Sequence, residues 1–415
     1  MECKTLSDIC LRICSGGTPK RSCREYYDGG TIPWLNTAEV NFNRIRSTAS
    51  HITEQGLDNS STRWVPKDTV IVAMYGATAG RVAIAGIPLT TNQACCNLVI
   101  DCALADPKYV YYWLKNRHCE IAGLANGGAQ QNLSVRVLKE VEIVLPALSV
   151  QHAVADYLAV LDEKIELNSR INDHLLEMAL SEYKELSRQS SSKRTLQDCT
   201  SLLCRGGAPK YCEKGKFHAL NQRCIRNHKI DDANARRIEN PRSREKLLRY
   251  GDILICSTGT GTLGRSAQVL CHDERVTVDS HVTIVRPAYE ALVEYLGCWA
   301  LSSEDQFESM AKGSTGQTEL PRTELAELEI GFPDAASLND FSGKTKPLFE
   351  AIQSNVRENQ SLECLRDALL PKLMSGEIDV SWIDLKQLNG HLVRLRTLVI
   401  VSRSTVYCMR APFVG

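Results

Sequence analysis

The sequence has no stretch of about 18 apolar residues, which is the length needed to cross a bilayer, so we expect no membrane span. Its first residues lack a basic segment followed by an apolar run, which a signal peptide would need. We therefore expect a cytoplasmic protein. The hydrophobic content of 43% and the charged content of 24% are typical of globular proteins, and 415 residues predict two or three domains.

The 17 cysteines form no CxxC pair, and the closest pairs are Cys95–Cys96 and Cys10–Cys14. Structural zinc sites need close pairs of ligands, and disulfide frameworks usually use an even number of cysteines. We therefore expect reduced, mostly structural thiols and no metal site.

Motifs for catalysis are also missing. The sequence has no Asn/Asp-Pro-Pro-aromatic motif for amino-methyl transfer, no glycine-rich methyl-donor loop and no convincing acidic cluster for a nuclease metal. Residues 259–264 form a GxGxxG pattern, but the following residues alternate like a strand, whereas a dinucleotide fingerprint must open a helix. Residues 343–345 resemble the end of a P-loop that lacks its first glycine. We interpret the chain as a binder without chemistry of its own.

The net charge is zero, which by itself argues against a nucleic-acid partner, but the charge is unevenly distributed. Residues 205–249 contain 13 Lys and Arg against 5 Asp and Glu, whereas residues 290–329 contain 2 against 9. Residues 12–24 contain four basic residues, Arg12, Lys20, Arg21 and Arg24, and no acidic residue. Such separated charge can attract a polyanion to one face, although ordinary solvated surface charge is the alternative.

An internal repeat organises the chain. Matches keep their order while the offset drifts from 190 to 184 residues, as expected when loops vary and the framework does not. The matched pairs include Lys20 with Lys210, Asn36 with Asn221, Asp68 with Asp252, Arg81 with Arg265, Trp113 with Trp299, and Gln131 with Gln317. Each copy contains short β-like runs and one helix-like stretch, which predicts a mixed α+β domain.

Each copy ends in a segment with helical periodicity, after Pro146 and after Pro333. A helix of about 40 residues would be about 60 Å long, so we expect the two helices to bury their apolar seams on each other and hold two domains apart. Packing of each helix against its own domain is the alternative. Asn168 and Asn359 interrupt the seams, a device that sets register in coiled coils. The predicted coiled-coil positions are Leu161, Ile165, Asn168, Ile171, Ile352, Val356, Asn359 and Leu362.

The loops of both copies are rich in Gly, Thr, Asn, Gln, Ser and Arg, whose side chains can bind base edges and phosphates. Ordinary turns are the alternative for any single loop. The candidates for DNA contact in the first copy are Lys20, Asn36, Tyr75, Thr78, Arg81, Asn92, Gln93, Gln130 and Gln131. Their counterparts in the second copy are Lys210, Asn221, Gln222, Thr258, Thr262, Arg265, Ser280, His281 and Gln317.

The sequence resembles the specificity (S) subunits of type I restriction–modification enzymes over about residues 1–385. The resemblance rests on the duplication and on three motifs: residues 6–20 with their echo at 196–210, LDEKIELN at 161–168, and LLPKLMSGEI at 369–378. It implies two target-recognition domains, each reading one half of a bipartite asymmetric DNA site. It also implies an antiparallel coiled coil that measures the spacer and docks methyltransferase and restriction subunits. S-adenosylmethionine, ATP and Mg would then belong to those partner subunits, as would base flipping.

The predicted architecture is an α+β fold with an internal pseudo-twofold repeat. We assign residues 1–146 and 193–333 to the two target-recognition domains, 147–192 and 334–378 to the two spacer helices, and 379–415 to a tail of unknown structure. The predicted function is a non-catalytic, sequence-specific DNA reader. The alternatives are a protein-assembly scaffold with incidental DNA contact and, third, an enzyme that binds a nucleotide at residues 259–264.

Overall fold

The computed structural model describes residues 2–125, 132–190, 192–271, 274–313 and 318–379. Three predicted site residues, Gln130, Gln131 and Gln317, lie outside the described residues, as does the tail from residue 380. The described chain divides into two compact units, residues 2–163 with 362–379, and residues 164–361. Each unit holds one copy of the repeat together with parts of both long helices.

The first unit contains ten strands and four short helices, and the first long helix begins in it. The strands are β1 (Glu2–Thr5), β2 (Cys10–Ser15), β3 (Ile32–Leu35), β4 (Asn43–Ile45), β5 (Ser50–Ile52), β6 (Val70–Ala73), β7 (Val82–Ala85), β8 (Thr90–Thr91), β9 (Cys95–Ile100) and β10 (Glu142–Leu145). The helices are α1 (Glu54–Asp58), α2 (Pro107–Asn116), α3 (His118–Gly123), α4 (Val135–Lys139) and the long α5 (Leu148–Gln189).

Two sheets form the framework of the first copy, a five-stranded sheet in the order β2-β9-β6-β7-β4 and a three-stranded sheet in the order β5-β3-β8. Helix α2 begins at Pro107 after Asp106, whose carboxylate accepts from the backbone N–H groups of Lys108 and Tyr109 and so caps the helix. The core joins α2, the inner strands, the start of α5 and the last turns of the second long helix.

The second unit repeats this plan. Its strands are β11 (Ser192–Thr195), β12 (Thr200–Arg205), β13 (Phe217–Leu220), β14 (Ile225–Arg226), β15 (Lys229–Ile230), β16 (Arg236–Ile238), β17 (Ile253–Cys256), β18 (Ser266–Gln268), β19 (Val276–Val278), β20 (Val282–Pro287) and β21 (Glu329–Phe332). Its helices are α6 (Val293–Leu301), α7 (Glu304–Ser309), α8 (Arg322–Glu327) and the long α9 (Ala335–Ser375).

The sheet orders of the second copy are β12-β20-β17-β18 and β16-β13-β19, which correspond to those of the first copy. Each copy is closed by an antiparallel pair of its first and last strands, β1 with β10 and β11 with β21. The tryptophans of the repeat, Trp113 and Trp299, are both buried in the helix that packs on the larger sheet. The duplication inferred from short sequence matches is therefore a duplication of topology.

Helices α5 and α9 contain 42 and 41 residues, so each is about 60 Å long. In the first unit Asp162 of α5 pairs with Arg366 of α9 at 2.8 Å, and in the second unit Asn172 faces Asn355. Asn168 of the second unit contacts Asn359, so residue numbers rise along α5 as they fall along α9 and the two helices are antiparallel in that unit. The predicted fold class, an α+β repeat with two long antiparallel helices, is confirmed. No helix in the described ranges has an apolar segment that could cross a bilayer.

Candidate nucleic-acid interface

Two asparagines of the first copy lie together at the ends of parallel strands. Strands β3 and β8 pair in parallel, with Leu35 opposite Thr91, so their carboxyl ends meet at one edge of the sheet. Asn36 follows β3 and Asn92 follows β8. The Asn92 amide donates from Nδ2 to Asn36 Oδ1 at 3.4 Å, and the Asn92 N–H donates to the Leu35 carbonyl at 3.0 Å. The fold thus joins two candidate residues that are 56 positions apart.

The second copy builds the same edge from β13 and β19, which also pair in parallel. Asn221 follows β13, and Asp279 follows β19 and donates its N–H to the Leu220 carbonyl at 2.9 Å. Asp279 is therefore the structural counterpart of Asn92. The sequence predicts Ser280 and His281 as the contact residues of this loop, and the strand register adds Asp279, which directly precedes them.

Asp279 organises the loop that follows it. Its side chain is buried, and Oδ1 accepts from the His281 N–H at 2.9 Å, just as Asn92 Oδ1 accepts from the Ala94 N–H at 3.1 Å. Burial raises the pKa of the Asp279 carboxyl, while the hydrogen bond from His281 acts in the opposite direction. The exposed His281 ring lies with Nδ1 2.6 Å from Thr258 Oγ1, which links this loop to the next one.

The second pair of loops connects β6 to β7 and β17 to β18. Gly80 and Gly264 have positive φ angles of 82° and 86°, and their N–H groups donate to the preceding strand at 2.9 Å in both copies. A Cβ atom on Gly264 would lie 2.9 Å from the Glu304 carbonyl oxygen of α7. Glycine is required there by both conformation and space, and a helix does not follow, so residues 259–264 form a turn between strands as expected.

These turns carry further candidate residues, in the same order in both copies. Thr78 and Thr262 each donate their hydroxyl back to a loop carbonyl, at 3.2 and 3.1 Å. Arg81 donates to Asn41 Oδ1 at 2.9 Å, and Arg265 is half-buried at the equivalent position. Tyr75 leaves 42% of its surface exposed at the start of its turn.

The paired glycines of each copy cross the same edge. A Cβ atom on Gly16 would lie 2.2 Å from the Thr91 carbonyl oxygen, and one on Gly206 would lie 2.1 Å from that of Asp279. Only glycine allows the loop to cross the strand ends this closely. Lys20 and Lys210 follow and are exposed. Two further candidates lie nearby: Gln93 accepts a hydrogen bond from Thr18, and the half-buried Gln222 lies close to Gly259.

The candidate positions of the coiled coil lie on the facing sides of α5 and α9 with one exception. Leu161, Asn168, Ile352 and Leu362 are buried, and Ile165, Val356 and Asn359 are half-buried. Ile171 leaves 39% of its surface exposed, so its assignment to the seam is corrected. Its neighbour Asn172 is buried instead and accepts from Asn355 Nδ2 at 2.8 Å, because the fourth residue after Asn168 faces α9 while the third faces outward.

The second copy contains a buried ion pair that the sequence analysis did not predict. Arg286 donates to both carboxylate oxygens of Asp252 at 2.7 and 2.8 Å, and to the carbonyls of Glu245 and Leu247 at 3.1 and 2.9 Å. The hydrogen bonds with Asp252 raise the pKa of the guanidinium. The repeat matches Asp252 with Asp68. The partner of Asp252, Arg286, is 34 residues away in the sequence, and no local pattern predicts the pair.

Comparisons with known proteins agree with this description. Residues 1–177 match the family model of the type I restriction modification DNA specificity domain. The specificity subunit of the type I restriction enzyme MjaIX from Methanocaldococcus jannaschii is 27% identical over 419 residues, which is 91% of this chain and 94% of that protein. The EcoR124I/EcoR124II specificity subunit from Escherichia coli is 26% identical over 180 residues, 42% of this chain and 43% of its own.

A solved structure has the same fold. The crystal structure of the S subunit of a type I restriction-modification system from M. genitalium is similar with a TM-score of 0.51 and 21% identity. The match covers 90% of this chain and 95% of that chain.

Proposed function

We propose that this chain, which belongs to the family of type I restriction-modification specificity subunits, reads a DNA site made of two unlike halves. Membership of the family implies recognition of a DNA sequence and assembly into a complex. The relatives are specificity subunits, a non-catalytic class, and this chain belongs to that class. The two-part site and the identity of the partners are the proposal.

One observation carries it: the same strand-end edge occurs in both copies with different side chains. Asn36 and Asn92 form it in the first copy, and Asn221 and Asp279 form it in the second. Amides both donate and accept hydrogen bonds, whereas an ionised carboxylate only accepts. Two copies with equivalent frameworks and unlike edges fit two half-sites of different sequence.

The remaining parts of the proposal concern partners. We propose that α5 and α9 set the spacer between the half-sites and dock methyltransferase subunits, with restriction subunits joining the complex. S-adenosylmethionine, ATP and Mg would be held by those subunits, and methyl transfer to a flipped base would be their reaction. Because the proposed ligand is the DNA of the cell, the proposal includes a cytoplasmic location.

Methylome sequencing tests the function directly. A host that lacks other methyltransferases should carry this chain with its methyltransferase partner. We expect methylation at one motif with two unlike half-sites and a fixed gap, and no such motif when the specificity chain is omitted. A single continuous motif would overturn the two-part reading.

A binding assay on the reconstituted complex separates the DNA reader from a protein scaffold. We expect the complex to retard a duplex that contains the motif, with an affinity that falls as salt rises. The absence of retardation at low salt would support the scaffold instead. A duplex with one scrambled half-site is the matched control, and it should bind more weakly than the intact site.

A further inference from the structure

A basic cluster lies on the edge strand of the smaller sheet in the second copy. We define this basic cluster as Lys210, Tyr211, Arg236, Arg237 and Arg242. Strand β16 pairs on one side with β13, and on the other side Tyr211 bridges to Ile238 while the Cys212 N–H donates to the Arg237 carbonyl at 3.0 Å. All five side chains are exposed.

The basic cluster lies directly beside the candidate reading edge. Arg236 is opposite Ala219, two residues before Asn221, and Asn221 Nδ2 donates to the Asn234 carbonyl at 2.8 Å. The side chain of Arg242 lies over Gly207, since a Cβ atom on that glycine would be 2.7 Å from Arg242 Cδ. The neighbouring Gly206 crosses the end of β19 at Asp279. Arg236 and Arg242 therefore lie close to the strand ends that carry Asn221 and Asp279.

The guanidinium groups of this cluster are available to a ligand. Arg205 and Arg286 of the same copy are held by Glu319 and Asp252, but within the described ranges Arg236, Arg237 and Arg242 have no carboxylate at ion-pairing distance. The Arg236 guanidinium carbon lies 3.4 Å from the centre of the Tyr211 ring. Stacking on the ring orients the guanidinium and leaves its N–H groups free to bind phosphate oxygens.

In the part of the first copy that the structure describes, other residues occupy the positions of these arginines. Strand register aligns β5 of the first copy with β16 of the second. Ile52 of β5 pairs with Ile32 in the same way that Ile238 of β16 pairs with Phe217. Ser50 and His51 therefore occupy the positions of Arg236 and Arg237. The position of Arg242 over Gly207 is taken in the first copy by Ser61, whose Oγ would lie 2.4 Å from a Cβ on Gly17.

We propose that the basic cluster binds the phosphate backbone of duplex DNA beside the second half-site, and that the first copy lacks this anchor. The inference rests on the proposed function. Phosphate contacts add affinity without sequence information, because every sequence presents the same phosphates. The three arginines should therefore add sequence-independent affinity that the residues at the matching positions of the first copy, Ser50, His51 and Ser61, do not supply.

The experiment uses the full chain in complex with its methyltransferase partner. The triple variant Arg236→Gln, Arg237→Gln and Arg242→Gln is compared with the wild type on duplexes with an intact site and with a scrambled second half-site, over a range of salt concentrations. Each lost phosphate contact reduces the slope of log K against log salt by about 0.9, so three contacts reduce it by about 2.7. We expect the same fractional loss of affinity on both duplexes.

A variant that adds charge to the first copy gives a second test, which does not depend on the folding of the triple variant. His51→Arg places one cation at the position equivalent to Arg237, on an exposed side chain of the first copy. We expect it to steepen the salt slope by up to about 0.9. Thermal unfolding of each complex checks that the variants are folded.

The outcomes separate this inference from the proposed function. If the wild-type complex binds no duplex, the proposed function fails. If it binds specifically but the triple variant keeps the wild-type slope, only the basic cluster is refuted. A loss confined to the intact site would also overturn the inference, because it would make the arginines base-reading residues.

Discussion

The side chain of Asn168 donates from Nδ2 to Asn359 Oδ1 at 2.9 Å and to Glu358 at 2.8 Å. Asn359 in turn donates to the Ile165 carbonyl at 3.2 Å. A polar pair in an apolar seam forms these hydrogen bonds only when the two helices are in this register. The pair therefore fixes which turn of α5 faces which turn of α9 in this part of the chain.

The single substitution Asn168→Leu should lower the free energy of unfolding by about 1–3 kcal/mol, because it leaves Asn359 without its donor in a half-buried site. The double variant with Asn359→Leu should regain that loss or exceed the wild type, since two apolar residues then face each other. Denaturant titration of the four chains gives the coupling energy. Additive effects of the two substitutions would contradict a direct role for the pair.

The buried pair of Arg286 and Asp252 should matter more than its partly exposed counterpart. Asp252 is completely buried, so Arg286→Met leaves an uncompensated charge and should cost about 3–5 kcal/mol. In the first copy, Arg44 lies 3.1 Å from Asp68, whose side chain is 41% exposed. Arg44→Met is the matched control and should cost at most about 1 kcal/mol. Equal costs, measured by denaturant unfolding, would refute the argument from burial.

Asp279→Asn should make the protein more stable at neutral pH. The raised pKa means that burial penalises the ionised carboxylate, a penalty present above that pKa and absent once the group is protonated. The advantage of the variant should therefore shrink as the pH falls through the raised pKa and vanish below the ordinary value of 3.8. Asparagine keeps the acceptor for the His281 N–H, as Asn92 does for Ala94.

The reverse substitution in the first copy, Asn92→Asp, provides the control for that experiment. It should lower stability at neutral pH and have less effect in acid. Unfolding free energies of the wild type and both variants across the pH range supply the comparison. A stability difference for Asp279→Asn that is independent of pH would show that ionisation of the carboxyl is not its cause.

Arg265→Ala should change base preference in one half-site only, because the turn that carries it belongs to the second copy. Loss of a bidentate contact with a base costs about 1–3 kcal/mol at the affected position. Arg81→Ala is the matched variant and should affect the other half-site. Binding to a library of duplexes with each half-site randomised measures both. An equal loss across unrelated sequences would identify a phosphate contact instead.

Matched shortening of the two long helices should shorten the spacer. Removal of residues 164–170 from α5 and 357–363 from α9 keeps the facing register on either side, including Asp162 with Arg366 and Asn172 with Asn355. Seven residues correspond to about 10 Å of helix, or about 3 base pairs. Methylome sequencing reads the new gap. Removal from one helix alone should abolish methylation, and an unchanged gap after matched removal would refute the ruler.

The sequence alone determined the features that depend on local periodicity and on repetition. A helical period of about 40 residues is longer than one globular domain can cover, which predicted that part of each seam is buried on the other long helix. Asn168 and Asn359, the polar residues in those seams, were accordingly predicted as a register-setting pair. Matches such as Trp113 with Trp299 established the duplicated framework, because framework residues are held by packing while loops are free to vary.

Tertiary structure determined which of the polar loop residues lie next to one another. Asn36 and Asn92 meet because β3 and β8 pair in parallel, and Asp279 rather than Ser280 takes the equivalent place because strand register assigns it. Non-local pairing of this kind leaves no trace in a short window of sequence. The exposure of Ile171 also depends on tertiary structure. An apolar residue beside a seam can face the partner helix or the solvent, and the contact between Asn172 and Asn355 turns Ile171 away from α9.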